Sequence, residues 1–131
     1  MVQAQIGKRA PFSIERQEGK APGAVIFHLS GPFTARDMFE SLPPAALRNM
    51  LEFQSTPNEE PPVLNIMDLT DVPYVDSSGL GMIVSHYVHC RNRGIQLRIA
   101  GSSARVLELF RITKVDGFLP LVATREEAEI Q

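Results

Sequence analysis

Residues 63–69, Val63-Leu64-Asn65-Ile66-Met67-Asp68-Leu69, form a nearly unbroken apolar run in a chain of 131 residues. The run is bounded by Pro61-Pro62 before it and by Asp71-Val72-Pro73 after it. That is the pattern of a strand buried on both faces, not of one half exposed to water. A strand of this kind must lie inside a sheet with other layers over it.

The rest of the chain supplies those layers. Residues 12–16 read as a short first strand, ended by Gln17-Glu18-Gly19. Residues 24–29 are a stronger strand, rich in β-branched and aromatic side chains and ended by Ser30-Gly31-Pro32. Thr34 is placed to cap a helix running through Leu42. Pro43-Pro44 breaks that helix or opens a second one over residues 45–53, because proline suits a first helical turn. Residues 54–62 read as a polar, proline-rich loop.

From Leu80 onward the apolar residues Leu80, Ile83, Val84, Tyr87 and Val88 recur at the spacing of one helical face. They are expected to face the sheet, with Met82, Ser85, His86 and His89 outward. Asn92-Arg93-Gly94 ends this helix. Residues 95–100 alternate as a strand, Ile95, Leu97 and Ile99 inward against Gln96 and Arg98 outward. Gly101-Ser102-Ser103 caps a helix carrying Val106, Leu109 and Phe110 on one face. Residues 118–122 are a last short strand, and Thr124 with Glu127 forms a capping box. The order predicts an α/β fold of sandwich (α+β) type: a mixed sheet of about 4–5 strands, one domain over the whole chain, with no repeat and no linker.

Composition excludes several function classes. A formal net charge of -2, with 13 basic residues scattered among 15 acidic ones, lacks the footprint of a nucleic-acid binder. The lone Cys90 permits no intramolecular disulfide and suits a reducing compartment. No stretch approaches eighteen apolar residues, and residues 1–11 hold no signal-peptide core, so a cytoplasmic protein without membrane insertion is expected. His86, His89 and Cys90 stand at i, i+3 and i+4, a spacing that metal sites use, but no further ligand cluster accompanies them, and partly exposed packing is the reading preferred. There is no Gly-x-Ser-x-Gly elbow and no phosphate-binding loop with its lysine, so neither catalysis nor a cofactor is expected.

The informative segment is Asp76-Ser77-Ser78-Gly79-Leu80-Gly81. Asp and Ser are strong helix caps, worth about 1 kcal/mol. The two glycines do not fit a simple helix start, since each costs about 1 kcal/mol relative to alanine. Either another chain segment or a partner comes close here, or the hydroxyls must be accessible. A helix N-terminus also favours an anion, so a phosphate on a serine here would leave the helix intact and change its surface.

Together with the preceding residues 65–75, this segment resembles the signature of STAS domains, and more narrowly of bacterial anti-sigma factor antagonists. Leu29-Ser30-Gly31 and the closing segments 107–113 and 124–128 resemble the same family, so the likeness spans residues 12–130. The resemblance implies a small mixed sheet with helices mainly on one side. It implies partner switching without catalysis: the unphosphorylated antagonist binds an anti-sigma factor that is also a serine kinase, and thereby regulates sigma-factor-dependent transcription. By position the phosphoacceptor is Ser77, with Ser78 the alternative. Asp76 would orient the hydroxyl and the loop, and Ser78, Gly79, Leu80, Gly81 and Met82 would form the docking surface. Thr34, counted with that docking surface, stands about where the family carries an acidic residue near the switch loop. Lys114 stands where the family places a glycine. The implied state is a monomer or at most a weak dimer. The alternative is a STAS domain used as a constitutive adaptor, in a stress-signalling or lipid-transport assembly, without phospho-switching.

Overall fold

The computed structural model describes residues 12–41, 44–52 and 62–130. Along the chain run β1 (Ser13–Glu18), β2 (Ala24–Ser30), α1 (Ala35–Ser41), α2 (Pro44–Glu52), β3 (Leu64–Asp71), α3 (Ser77–Asn92), β4 (Gln96–Ala100), α4 (Ala104–Ile112), a 3-10 turn at Val115–Gly117, β5 (Leu121–Val122) and α5 (Arg125–Ile130). The five strands form one sheet in sequence order. β1 pairs antiparallel with β2, and the other three pairings are parallel. This is the mixed α/β sheet that the sequence predicts. Most of the expected loop at 54–62 lies outside the described residues.

From Leu64 to Leu69 the apolar run is buried on both faces of β3; Val63, expected within it, precedes the strand and is 64% exposed. Met67 and Leu69 join Phe27, Leu29, Leu97 and Ile99 in the main core under α1–α4. Leu64 and Ile66 turn the other way, joining Ala24, Ile26 and Ala100 beneath Ala128 of α5. The main core holds Phe33, Leu47, Leu51, Ile83, Val106 and Phe110. Helices therefore lie mainly on one side, and the single short α5 closes the other. Thr124 caps α5 by accepting from the Glu127 amide at 3.1 Å. Among the described residues no helix is long and apolar enough to cross a membrane.

Several boundaries and faces differ from the sequence reading. β1 begins one residue later than expected and runs two residues further; Phe12 instead stacks on Phe33, ring centroids 5.0 Å apart. β5 keeps only two residues, because the chain before it coils into the 3-10 turn and leaves Phe118 packed against Tyr87 at 5.3 Å. Arg98 does point away from the main core, but α5 covers it, and its Nη1 donates to the Ala128 carbonyl at 2.6 Å.

The larger correction concerns α3. Its buried residues are Gly79, Met82, Ile83, His86 and Cys90, whereas Val88 is 46% exposed. Met82 and His86, expected outward, face in. Leu80 and Tyr87 are half-buried at the margin of the core. Close packing at Gly79, described below, sets the rotation of the helix. α2 also packs on its flank, so the buried arc is wider and shifted from the purely apolar stripe. His86 sits edge-on to Phe27 at 6.3 Å. Burial, with the neighbouring His89 charge, lowers its pKa to about 4. Cys90, expected to be partly exposed, is fully buried, and burial pushes its thiol up to about 12. It lies 3.6 Å from His86 Nε2. Such a thiol is a packing group rather than a reactive one.

Candidate functional site

The parallel strands β2 and β3 end side by side, and the chain beyond each stays zipped to the other. The Gly31 amide donates to the Asp71 carbonyl (3.0 Å), the Phe33 amide to the Tyr74 carbonyl (3.0 Å), and the Asp76 amide back to the Phe33 carbonyl (3.3 Å). This ladder places the start of α1 beside the start of α3 at the C-terminal edge of the sheet. Open α/β sheets keep their functional loops at that edge.

Asp76 joins the two helices. Its Oδ1 accepts from the Gly79 amide at 2.9 Å, the N-cap bond of α3, and its Oδ2 accepts from the Ala35 amide at 3.0 Å, at the head of α1. One carboxylate thus satisfies an orphan donor on each helix, at the end where the dipole favours negative charge. Both oxygens accept from backbone amides, so Asp76 holds the loop, and no hydrogen bond joins it to either serine hydroxyl. Ser77 and Ser78 are the first two residues of α3; both are exposed, and neither hydroxyl has a hydrogen-bond partner among the described residues.

The two glycines of the motif have separate explanations. A Cβ on Gly79 would stand 2.1 Å from the Phe33 carbonyl oxygen and 2.9 Å from Val75 Cγ1, so another chain segment requires this glycine. A Cβ on Gly81 would meet nothing within 4 Å, and Gly81 is exposed. Thr34 and Gly79, expected on the docking surface, are both buried. The Thr34 hydroxyl caps α1, accepting from the Asp37 amide at 3.1 Å and donating to the Asp37 carboxylate. The acid near the loop is therefore Asp37, one turn further on and also buried. Leu80 is half-buried. Met82 is buried but lines a groove of about 310 Å³ that also reaches Met38, Arg48, Ser78, Gly81 and Ser85. Arg48 comes from α2, 30 residues earlier than Ser78, and no pattern in the sequence pairs the two. Arg105 of α4 lies over the Tyr74 ring at 4.6 Å, bracing the segment before the motif.

A second polar cluster occupies the α5 face of the sheet. His28 Nδ1 lies 3.0 Å from Asp68 Oδ2, and its Nε2 lies 2.8 Å from Asp71 Oδ2. Arg125 of α5 stands 3.7 Å from Asp68. Burial alone would raise the Asp68 pKa, but the Thr70 hydroxyl and amide and the His28 bond and charge outweigh it, and the net shift is down. Among the described residues, no group of three His, Cys, Asp or Glu is placed to hold a metal ion.

The geometry assembles an exposed Ser-Ser pair at a capped helix start, on the C-terminal edge of a mixed sheet. Residues 16–128 match the STAS domain family, and the chain belongs to it. The anti-sigma-B factor antagonist of Listeria monocytogenes is 40% identical over 55 residues, 42% of this chain and 48% of that protein. The chain spans about half the length of the curated relatives it matches. An anti-sigma factor antagonist from Mycobacterium paratuberculosis shares the fold with a TM-score of 0.65 at 20% identity, covering 89% of this chain and 92% of that one. A sulfate transporter family protein from Wolinella succinogenes does so with a TM-score of 0.64 at 21% identity, covering 85% of each chain.

Proposed function

We propose that this chain is an anti-sigma factor antagonist: a non-catalytic binding module that captures an anti-sigma factor with serine kinase activity and is released when Ser77 is phosphorylated. The observation that carries the reading is Ser77 itself, exposed at the first position of α3 with its hydroxyl unbound. The names of the relatives support the antagonist part of the reading. In the reaction the Ser77 oxygen takes the γ-phosphoryl group of ATP, and ADP and the hydroxyl proton leave. The product is a dianion at the positive end of a helix that carries no acidic residue in its first turn beyond the Asp76 cap. Release follows from desolvation, because a dianion buried against the partner without a counter-charge is strongly penalised.

The test pairs kinase labelling with binding. Candidate anti-sigma kinases are incubated with the chain and ATP, and the phosphate is mapped by mass spectrometry. Label on Ser77 is expected. Ser77→Asp should keep the wild-type melting temperature and bind the kinase much more weakly, and Ser77→Ala should bind but take no phosphate. Label on Ser78 alone, or a Ser77→Asp chain that binds as tightly as wild type, overturns the assignment. One observation favours the second reading, a constitutive adaptor: Thr34 is buried against Asp37 and offers a partner no surface acid. An adaptor would bind its partner identically with Ser77→Asp and take no label from any kinase.

A further inference from the structure

We propose that the groove between α2 and α3 is the seat of an acidic, amphipathic segment of the anti-sigma partner, with Arg48 as its counter-charge and Gly81 as its point of closest approach. This rests on the antagonist reading and adds to it the chemistry of the contact. Two observations that neither the fold nor the serine switch uses lead there.

The first is Gly81. The other glycine of the motif is required inside the chain, by the Phe33 carbonyl. Gly101 likewise has a positive φ of 75° and a neighbour, Thr70 Oγ1, 2.2 Å from where a Cβ would stand. Gly81 has no such reason. It lies within regular helix, exposed, with open space on its Cβ side. A glycine there weakens α3 with no return inside this chain. What it gives is a bare stretch of helix backbone on the wall of the groove, against which another molecule can pack closely.

The second is Arg48. It is exposed and has no hydrogen-bond or ion-pair partner among the described residues. The groove it borders has apolar walls at Met38 and Met82, hydroxyls at Ser78 and Ser85, and no acidic side chain among the described residues that line it. The positive end of α3 opens into the same space through Ser78. A lone guanidinium beside apolar walls and a helix N-terminus selects a carboxylate carried on an apolar segment. Phosphorylation of the adjacent serine then acts twice: the phosphate competes for Arg48, and it repels the carboxylate that Arg48 would hold.

The experiment uses the whole chain and the purified anti-sigma kinase that binds wild type best among those of the source organism. Affinity is measured by calorimetry at low and high salt, and melting temperature beside it. Gly81→Leu should melt no lower than wild type yet bind about tenfold or more weakly. Arg48→Glu should weaken binding about tenfold or more and reduce its salt dependence. Arg93→Glu, at the far end of α3, should bind within about twofold of wild type. If Gly81→Leu melts low, Arg48→Glu, an exposed change, carries the test. Wild type binding with Gly81→Leu and Arg48→Glu both within about twofold overturns the groove alone. A wild-type dimer that Gly81→Leu turns into a monomer, with kinase binding unchanged, overturns it in favour of a second copy of this chain. No kinase binding by wild type overturns the antagonist reading and this inference with it.

Discussion

Gly79→Ala perturbs the contact that sets the whole site. The added Cβ would meet the Phe33 carbonyl oxygen at 2.1 Å, well inside any tolerable contact, and Val75 Cγ1 at 2.9 Å. Neither neighbour can yield freely. Phe33 is fully buried and stacked on Phe12, and its carbonyl accepts from the Asp76 amide. The first turn of α3 must therefore lift by roughly 1 Å to restore van der Waals separation. Overpacking of this kind costs about 1–3 kcal/mol. Losing the 3.3 Å bond from Asp76 to Phe33 adds about 1 kcal/mol. Against these stands the gain of about 1 kcal/mol from replacing a helical glycine by alanine. The balance is a loss of about 2 kcal/mol, or roughly 5–10 °C in Tm for a domain of this length. Urea unfolding followed by circular dichroism reads it, with Gly81→Ala as the internal control. The same substitution two residues on meets open space and should stabilise by about 0.5–1 kcal/mol. A Gly79→Ala chain as stable as wild type would refute the steric account of the motif's first glycine.

Three other outcomes follow from the packing. Ile83→Ala, at a fully buried position, should cost about 2–5 kcal/mol in urea unfolding, while Val88→Ala should stay within about 0.5 kcal/mol; equal costs would mean that the buried face of α3 is misplaced. His86 is held neutral, its pKa lowered from 6.5 to about 4, so the unfolded chain takes up its proton first as pH falls. Stability should therefore drop by about 3 kcal/mol between pH 6.5 and pH 4, and His86→Gln should flatten that slope; an unchanged slope would place its origin elsewhere. Lys114 is the one non-glycine with positive φ among the described residues, at 65°, so Lys114→Gly should stabilise by about 0.5–1 kcal/mol, and a melt showing loss would count against strain there.

What the sequence made legible was local, and what it hid was relational. Residues 63–69 announced a two-faced strand, and Asp76 and Thr124 announced helix starts, because each signal is complete within a few neighbouring residues. The face of α3 was hidden because apolar periodicity counts side chains, whereas the rotation is set by Gly79, which has none, pressing on a carbonyl 46 residues earlier. His86 then falls inward although it is polar. Arg48 and Ser78 share a groove only because α2 returns across α3. The His28–Asp68–Asp71 cluster was equally invisible until β2 and β3 were placed in register, with His28 directly opposite Asp68. Lys114 is the counter-example: the absence of the expected glycine was readable, and the left-handed backbone there explains why it matters.

The same geometry separates holding the loop from switching it. Asp76 spends both carboxylate oxygens on backbone amides of two helices, and the ladder from Gly31 to Asp76 fixes the strand ends. None of these bonds uses the Ser77 hydroxyl. A phosphoryl group on Ser77 would break no bond of the fold, and it would stand at the helix end that best tolerates it. Its effect on stability should be small, and its effect on the charge of the surface beside Ser78, Gly81 and Arg48 large. A residue serving both purposes could not be modified without loosening the loop that the partner must recognise. With the cap given to Asp76 and the next hydroxyl free, the proposed phosphorylation of Ser77 would change the charge of the chain while keeping its shape.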